Sequence, residues 1–389
     1  MSDINICLRM MNCTEWVGGL IYIQNLAVAL AALPPEERSR IKLSIAIPYK
    51  NKHYAEALRR YVDRVYVERF FDRGYDRIAK WLAAQVTFIP PALLNFHGFD
   101  FVYPEVAGAR APYLWGGWIA DFQHYHMPQL FSQGEIEARN ELYKKMAQNA
   151  SVVVLSSRMA QEDFGSFFPE QVHRSAVLNF ACWLEPEVFQ EDPQRYQDKY
   201  NLPEGFFLVA NQFWKHKDHR VVIEALGLLK AKGISPTVVC TGNTRDYRHP
   251  GYFEELTQRI KELGIAEQVR LVGHIPRLDQ VQLMRRSLAV IQPSLFEGWS
   301  TVVEEARFLG KTLIISDFPV HLEQNPPHSL FFERSNATEL ANLLTEVIHS
   351  SKPGPDLERE NCASQENLLR IKQVGRNFLA IVKDVMANR

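Results

Sequence analysis

The sequence contains few cysteines, and their arrangement argues against a protein held together by disulfides or zinc. Five are present, at positions 7, 13, 182, 240 and 362, an odd number without any C-x-x-C pair. Disulfide frameworks and zinc sites need paired or closely spaced cysteines. We therefore expect reduced thiols in or near hydrophobic cores, as in a cytoplasmic protein.

The sequence also lacks an excess of either charge and any apolar run long enough to span a membrane. The formal net charge is -1 and charged residues make up 23% of the chain, so we expect no nucleic-acid partner. The N-terminal stretch MSDINICLRM has no basic region followed by a long apolar run, so we expect no signal peptide. Residues 20–33 form an apolar run that is too short to span a membrane, and Gln24 and Asn25 interrupt it. This favours a buried helix over a transmembrane one.

The length and the apolar pattern predict two α/β domains. A chain of 389 residues is long for one hydrophobic core. Short apolar runs alternate with helical patterns in both halves, which predicts two doubly wound, Rossmann-like domains with parallel sheets. The runs are residues 4–8, 42–48, 100–104, 112–115, 151–156 and 175–178 in the first half, and 206–210, 237–241, 269–272, 288–292, 312–316 and 330–332 in the second. The polar segment 183–202 predicts a linker, which divides the chain into domains 1–190 and 200–365 and a final helical segment 366–389.

The segment 293–317, PSLFEGWSTVVEEARFLGKTLIISD, contains two glutamates in different predicted surroundings. A strand is predicted before it, and a helix that Ser300 or Thr301 can cap and Gly310 can end is predicted within it. Glu297 then lies in the loop at the carboxyl edge of the sheet, where open α/β sheets bind ligands. Glu305 lies about two turns into the helix.

The same segment supplies a helix N-terminus that favours an anion such as a diphosphate, because its first backbone amides have no intrahelical acceptor. The amides concerned belong to Gly298, Trp299, Ser300, Thr301 and Val302.

The segment resembles the donor site of retaining glycosyltransferase family 4, a family of nucleotide-sugar enzymes with the GT-B fold. The resemblance rests on P-S-x-x-E-G-x-x-x-x-x-x-E-A followed by G-x-x-x-I-x-S-D, and it extends from the Gly18-Gly19 pair to about residue 332. It implies two Rossmann-like domains that face a central cleft, an acceptor domain followed by a donor domain, with the C-terminal helix crossing back to the first. It also implies transfer of a hexose from a UDP- or GDP-linked sugar, as in polysaccharide biosynthesis, to a glycan, lipid-linked or small-molecule acceptor.

The resemblance implies roles for the residues of this segment. Glu297 would contact hydroxyls of the transferred sugar and take part in catalysis, while Glu305 would hold the ribose hydroxyls. The amides of residues 300–302 and Lys217 would hold the diphosphate. Glu304 has no counterpart role in the motif, so we predict that it is a solvated charge.

The segment Asn211–Lys217, NQFWKHK, follows the first predicted strand of the second domain. The family carries an arginine and, five residues later, a lysine here, and these neutralise the diphosphate. Lys217 matches the lysine, whereas Gln212 occupies the position of the arginine. Either Lys215 supplies the missing charge or Gln212 donates neutral hydrogen bonds, and a solvated turn lysine is the alternative interpretation of Lys215.

Three groups of residues in other loops complete the predicted site. Gly18 and Gly19 follow the first strand and match a glycine pair that faces the donor phosphates and acceptor in the family, although a tight turn also explains them. In the segment 118–128, His124 is the first candidate to contact the sugar or acceptor and His126 the second, with Asp121 orienting the loop; polar packing is the alternative. His274 and Ile275, in the sequence G-H-I-P, lie where the family's backbone holds the nucleotide base.

We expect no metal and no bound cofactor. Metal-dependent transferases hold a divalent cation against the phosphates with clustered carboxylates, and no Asp-x-Asp pair occurs in this sequence. His124 and His126 have the spacing of two metal ligands, but no third ligand stands near them in the sequence.

Several alternatives stay open at the level of sequence. A GT-B sugar-nucleotide epimerase would share the fold and the donor, and a glycoside hydrolase would use a facing carboxylate pair. A non-catalytic sugar-nucleotide-binding protein is favoured by Gln212 and by the segment 118–128, where the family's His-Asp order is not kept because Ala120 stands before Asp121. The segment 59–81 interleaves arginines with aromatic residues, which fits either a peripheral membrane face or a solvated helix. The sequence predicts no particular oligomeric state.

Overall fold

The computed structural model describes residues 3–11, 17–68, 98–108 and 111–388. Much of the segment 59–81, including Arg69, Arg73, Arg77, Lys80 and Trp81, lies outside the described residues. The chain divides into two compact units. The first consists of Met1–Phe122, Gln133–Ala181 and Leu368–Arg389, and the second of Gln123–Ser132 and Cys182–Asn367.

The first unit contains a parallel sheet with helices between its strands. Its described strands are β1 (Ile4–Arg9), β2 (Ile41–Pro48), β3 (Arg64–Glu68), β4 (Phe101–Tyr103), β5 (Leu114–Ile119), β6 (Val152–Leu155) and β7 (Ser175–Val177), in the order β3-β2-β1-β4-β5-β6-β7. Every described strand pair in it is parallel. The main helices of this unit are Val17–Ala31, Gln133–Asn149, Arg158–Phe167 and the last part of Leu357–Ala387.

The second unit repeats this arrangement. Its described strands are β8 (Phe206–Ala210), β9 (Thr237–Thr241), β10 (Val269–Gly273), β11 (Val290–Gln292), β12 (Leu313–Ser316) and β13 (Ser329–Phe332), in the order β10-β9-β8-β11-β12-β13. All their pairings are parallel. The main helices are His219–Ala231, Tyr252–Glu262, Arg277–Arg286, Thr301–Phe308, Pro319–Gln324 and Ala337–Ser350. The prediction of a doubly wound α/β fold with parallel sheets is confirmed.

The apolar content of the second-unit strands explains why they form the middle layer. All residues of β8 are buried, as are those of β11 and β12. A parallel strand that helices cover on both faces has no solvent side, so it reads as a continuous apolar run. Two hydrophobic clusters, one around Leu226 and Ile260 and the other around Met284 and Phe308, cover the two faces.

The predicted linker 183–202 is part of the second unit. Trp183 and Phe189 have ring centroids 5.9 and 5.6 Å from that of Phe308, and Leu184 and Leu202 are buried in the same cluster. Although this segment is polar overall, its apolar residues pack into the second unit. The boundary between the two units in this part of the chain follows Ala181, just before these apolar residues.

The last helix, Leu357–Ala387, contributes its C-terminal part to the first unit. The ring of Phe378 lies 5.1 Å from that of Tyr103, and Arg376 pairs with Glu37 at 2.9 Å. A Cβ at Gly375 would lie 2.4 Å from the carbonyl oxygen of Ala29, so the two backbones approach too closely for any side chain there. None of the described helices combines the length and apolar character that crossing a membrane requires.

Candidate active site

The strand order of the second unit places two of the predicted loops side by side. β8 and β11 are neighbours in the sheet although β9 and β10 lie between them in sequence. The connections from these two strands run in opposite directions, so a crevice opens outside their carboxyl ends, the usual ligand position in open α/β sheets. The segment Asn211–Lys217 follows β8, and the segment that contains Glu297 follows β11.

Lys217 and Glu297 form an ion pair at this edge. Lys217 Nζ lies 2.5 Å from Glu297 Oε1, and both side chains are largely buried. Gln292 Nε2 donates to the same oxygen at 2.8 Å, and Asn211 Nδ2 donates to Gln292 Oε1 at 2.8 Å. Burial alone would raise the pKa of Glu297, but the charge of Lys217, with a smaller contribution from His321, brings it below its usual value. Glu297 is therefore ionised at neutral pH.

The helix that follows, Thr301–Phe308, begins as the sequence predicts, but part of its N-terminus is already occupied. Ser300 caps it, and its Oγ accepts from the amide of Val303 at 3.5 Å. The amide of Ser300 donates to Gln324 Oε1 at 3.2 Å. The first-turn amides of Thr301 and Val302 have no intrahelical acceptor, which makes them candidate donors to an anion.

The prediction that Glu304 is a solvated charge is wrong. Its side chain is 0% exposed, and Gln324 Nε2 donates to its Oε1 at 3.1 Å. Gln324 also bonds both backbone groups of Ser300. Gln324 lies on another helix, Pro319–Gln324, so only the packing of the two helices could reveal this.

Glu305 lies on the same helix in a second, separate environment. It is 1% exposed, and Arg277 Nη1 lies 2.5 Å from its Oε1. Burial raises the pKa of Glu305, and Arg277 opposes this only in part. Arg277 is the first residue of the helix that follows β10, and 40% of its side chain is exposed. A ribose that reaches Glu305 must therefore share this carboxylate with Arg277.

The turn Lys215–Lys217 presents its two lysines differently. Lys215 is exposed, whereas Lys217 is partly buried and points to Glu297. Asp218 ends the turn with a φ of 46° and caps the helix His219–Ala231 by accepting from the amide of Val221. Gln212, at the position of the family's arginine, is partly buried.

The structure separates the predicted residues of segment 118–128. Asp121 belongs to the first unit, where its carbonyl oxygen accepts from the hydroxyl of Tyr143 at 3.0 Å. His124 and His126 lie on a short helix, Gln123–His126, that belongs to the second unit. His124 is buried, and the ring of His126 lies 5.5 Å from that of Phe296, the neighbour of Glu297.

The other predicted residues are placed as follows. Gly18 and Gly19 lie in the first turn of the helix Val17–Ala31 of the first unit, not in the loop before it, and Trp16 lies outside the described residues. His274 is exposed after β10, whereas the side chain of Ile275 is buried in the cluster around Met284.

Sequence reasoning missed three side chains near this site. Arg277 could have been found, because it directly follows G-H-I-P at the start of a helix. His321 follows the S-D that closes the motif; it is fully buried, and its Nδ1 lies 3.0 Å from the carbonyl oxygen of Ser316. Arg248 gave no local signal, because Gln123, Phe131 and Trp214, which it contacts, lie far from it in the sequence.

Part of the sequence resembles known glycosyltransferases. Residues 191–365 match the family model described as glycosyl transferases group 1. Over 180 residues the chain is 30% identical to a D-inositol 3-phosphate glycosyltransferase of Jonesia denitrificans, a match that covers 44% of this chain and 41% of that relative. The chain therefore matches less than half the length of that relative.

Solved structures share the fold over the whole chain. Anabaena HepE in complex with UDP and glucose is 17% identical with a TM-score of 0.65, covering 97% of this chain and 99% of that one. Sucrose-phosphate synthase from Thermosynechococcus elongatus is 15% identical with a TM-score of 0.64, covering 98% and 97%. The chain shares the GT-B fold of these structures, and its residues 191–365 match the model of the glycosyl transferases group 1 family.

Proposed function

We propose that this protein is a retaining glycosyltransferase that moves a hexose from a nucleotide diphosphate sugar to an acceptor. The observation that carries the proposal is the buried Lys217–Glu297 pair beside the helix N-terminus at Thr301. This edge of the sheet thus combines a cation, helix amides that have no intrahelical acceptor, and an ionised carboxylate. A nucleotide sugar needs this combination, because its diphosphate and its sugar hydroxyls require donors and acceptors respectively.

The leaving diphosphate gains negative charge as the glycosidic bond breaks. Lys217 is bonded to Glu297 and has further N–H donors to offer a phosphate oxygen. The amides of Thr301 and Val302 add the positive end of a helix dipole. Fixed groups of this kind stabilise developing charge without having to reorganise.

Glu297 binds hydroxyls of the transferred sugar as an acceptor, and Glu305 binds the ribose. Attack by the acceptor and departure of the diphosphate occur on the same face, and the leaving phosphate oxygen takes the proton of the acceptor hydroxyl. No carboxylate nucleophile is needed. The glycoside hydrolase alternative loses support, because each glutamate is paired with its own cation, Lys217 or Arg277.

UDP-glucose is the first donor to test, because HepE was solved with UDP and glucose. GDP-linked sugars remain candidates. Acceptor candidates are glycans, lipid-linked glycans and small molecules, including inositol 3-phosphate, which the name of the Jonesia relative suggests. We also propose that the protein lies in the cytoplasm, with peripheral contact at the inner membrane face.

The test is incubation with a mixture of UDP-, GDP- and ADP-sugars, with and without an acceptor mixture, followed by mass spectrometry. We expect acceptor-dependent release of one nucleotide and a new glycoside, and loss of both in Lys217→Met. Release of nucleotide from donor alone, with a rearranged sugar, would instead identify an epimerase.

A non-catalytic nucleotide-sugar-binding protein is the second candidate, because Gln212 replaces the arginine of the family. This candidate predicts nucleotide binding without release under any condition. Failure to bind any of these nucleotides would refute both functions.

A further inference from the structure

Arg248 braces the turn that carries Lys217. Its side chain is 4% exposed, and its guanidinium carbon lies 4.7 Å from the ring centre of Trp214. Its Nη2 lies 3.2 Å from His216 Nδ1. Burial, with the charges of Lys217 and Arg248, holds the pKa of His216 well below its usual value, so this neutral ring can accept from Arg248. Asp246, 3.6 Å from Arg248 Nε, accepts from the amide of Lys215 at 3.1 Å.

The other side of the same guanidinium contacts the segment Gln123–Ser132. Its Nη1 donates to Gln123 Oε1 at 3.2 Å, and its carbon lies 5.0 Å from the ring centre of Phe131. Gln123 is buried, and it begins the helix that carries His124 and His126. One buried cation therefore joins two segments that are far apart in the sequence.

The two segments that Arg248 joins both contact the loop before Glu297. The carbonyl oxygen of His216 accepts from the amide of Leu295 at 2.8 Å. On the other side, the ring of His126 packs 5.5 Å from that of Phe296. The loop is thus held between the Lys215–Lys217 turn and the helix Gln123–His126, and Arg248 contacts both.

We propose that Arg248 is a positioning residue that fixes Lys217 and His126 on either side of the Glu297 loop. It acts through these residues and not on the donor, because its guanidinium is enclosed by Trp214, Phe131 and Gln123. The planar fork of an arginine can stack on rings and donate in several directions at once, which a lysine cannot reproduce. The catalytic part of this inference rests on the proposed function.

The structural part can be tested without substrate, by hydrogen–deuterium exchange of the full-length protein. The variant is Arg248→Met, and the matched control is Arg245→Met, because Arg245 is an exposed arginine in the same loop. We expect faster exchange in residues 123–132 and 214–217 of Arg248→Met, with the control unchanged. Wild-type exchange rates in either segment of Arg248→Met would overturn the proposal. If this variant does not fold, Arg248→Lys keeps the charge and is held to the same criterion.

The catalytic part is tested by nucleotide release and nucleotide affinity. Displacement of a catalytic group by about 1 Å can cost about 100-fold in rate. We expect Arg248→Met to lower turnover by about tenfold to 100-fold while the dissociation constant of the nucleotide changes less than about threefold. Adding His126→Ala should then cost little more than the slower single variant, because both changes remove the same placement.

Multiplicative effects of the two changes, or a loss of affinity equal to the loss of turnover, would refute a positioning role. If the wild-type protein binds and releases no nucleotide, the proposed function fails. The exchange experiment still decides whether Arg248 holds the two segments.

Discussion

Glu297 and Glu305 belong to one short motif but differ in their electrostatic surroundings. Lys217 lowers the pKa of Glu297, whereas burial raises the pKa of Glu305 despite Arg277. A carboxylate held ionised suits hydrogen bonds from sugar hydroxyls. These differences predict different defects when each glutamate is replaced.

We expect Glu297→Gln to lower turnover more than nucleotide affinity, because its partner is the sugar that moves during the reaction. Glu305→Ala should weaken nucleotide binding itself. Calorimetric titration with UDP and GDP, together with steady-state rates, separates the two effects. An equal loss of nucleotide affinity in both variants would contradict these assignments.

The two lysines of the Lys215–Lys217 turn can be ranked by replacement. Lys217→Ala should lower the rate by about two to three orders of magnitude, as loss of a charge-stabilising group does. Lys215→Ala is measured in the same assay. A loss of similar size would show that Lys215 replaces the cation absent at Gln212, and a near-normal rate would make it a solvated turn lysine.

At the scale of elements, two helices are joined by one amide side chain. Gln324, at the end of Pro319–Gln324, bonds Ser300 and Glu304 at the start of Thr301–Phe308. This junction holds the helix N-terminus that is proposed to face the diphosphate. The sequence predicted the helix after Ser300 but neither the helix Pro319–Gln324 nor the junction.

We expect Gln324→Ala to lower the free energy of unfolding by about 2–3 kcal/mol, because it removes the partners of buried polar groups. Chemical denaturation monitored by circular dichroism measures this. The control is Gln373→Ala, whose side chain is exposed and bonds Asn377 on the same helix. Equal stability of both variants would show that Gln324 does not hold the junction.

Most strand positions were predictable because these strands are local apolar runs. The described strand β3, RVYVE, has a charged residue at each end and was missed. Helix starts were less predictable: the buried helix predicted within residues 20–33 begins at Val17, which brings Gly18 and Gly19 into its first turn. The glycines gave a loop signal, but glycine also fits the first turn of a helix, where amides stay available. The prediction that this pair contacts the donor stays a prediction.

At the scale of the whole molecule, buried histidines make stability depend on pH. Burial lowers the pKa of His321 to about 4 and that of His219 to about 3. The unfolded chain binds protons at these positions near pH 6.5, whereas the folded protein does not. Their contribution is therefore present above pH 6.5 and is lost as the pH falls toward the folded pKa values.

We expect the free energy of unfolding to decrease between pH 6.5 and 4, with about 3 kcal/mol from His321 at about 1.4 kcal/mol per pKa unit. Denaturant unfolding at several pH values measures the slope. His321→Gln should flatten it. Parallel curves for the variant and the wild type would show that His321 is not the group responsible.

Activity should not require a divalent metal. Lys217 and the amides of Thr301 and Val302 supply fixed positive charge to the diphosphate. Assays with excess EDTA should therefore retain most of the rate. Loss of activity on chelation, with recovery on adding magnesium or manganese, would contradict this proposal.

The sequence by itself determined the two parallel sheets, the strand-to-helix turn with Glu297 ahead of it, and the resemblance of the second unit to a glycosyltransferase family. Each depends on residues that are close in the chain, where periodicity, capping and motif spacing act. Only the tertiary structure decided the contacts of Glu304, Glu305 and Arg248, and the assignment of Gln123–Ser132 to the second unit. These depend on side chains that meet across strands and helices distant in sequence, and packing and desolvation select such contacts without leaving a local pattern.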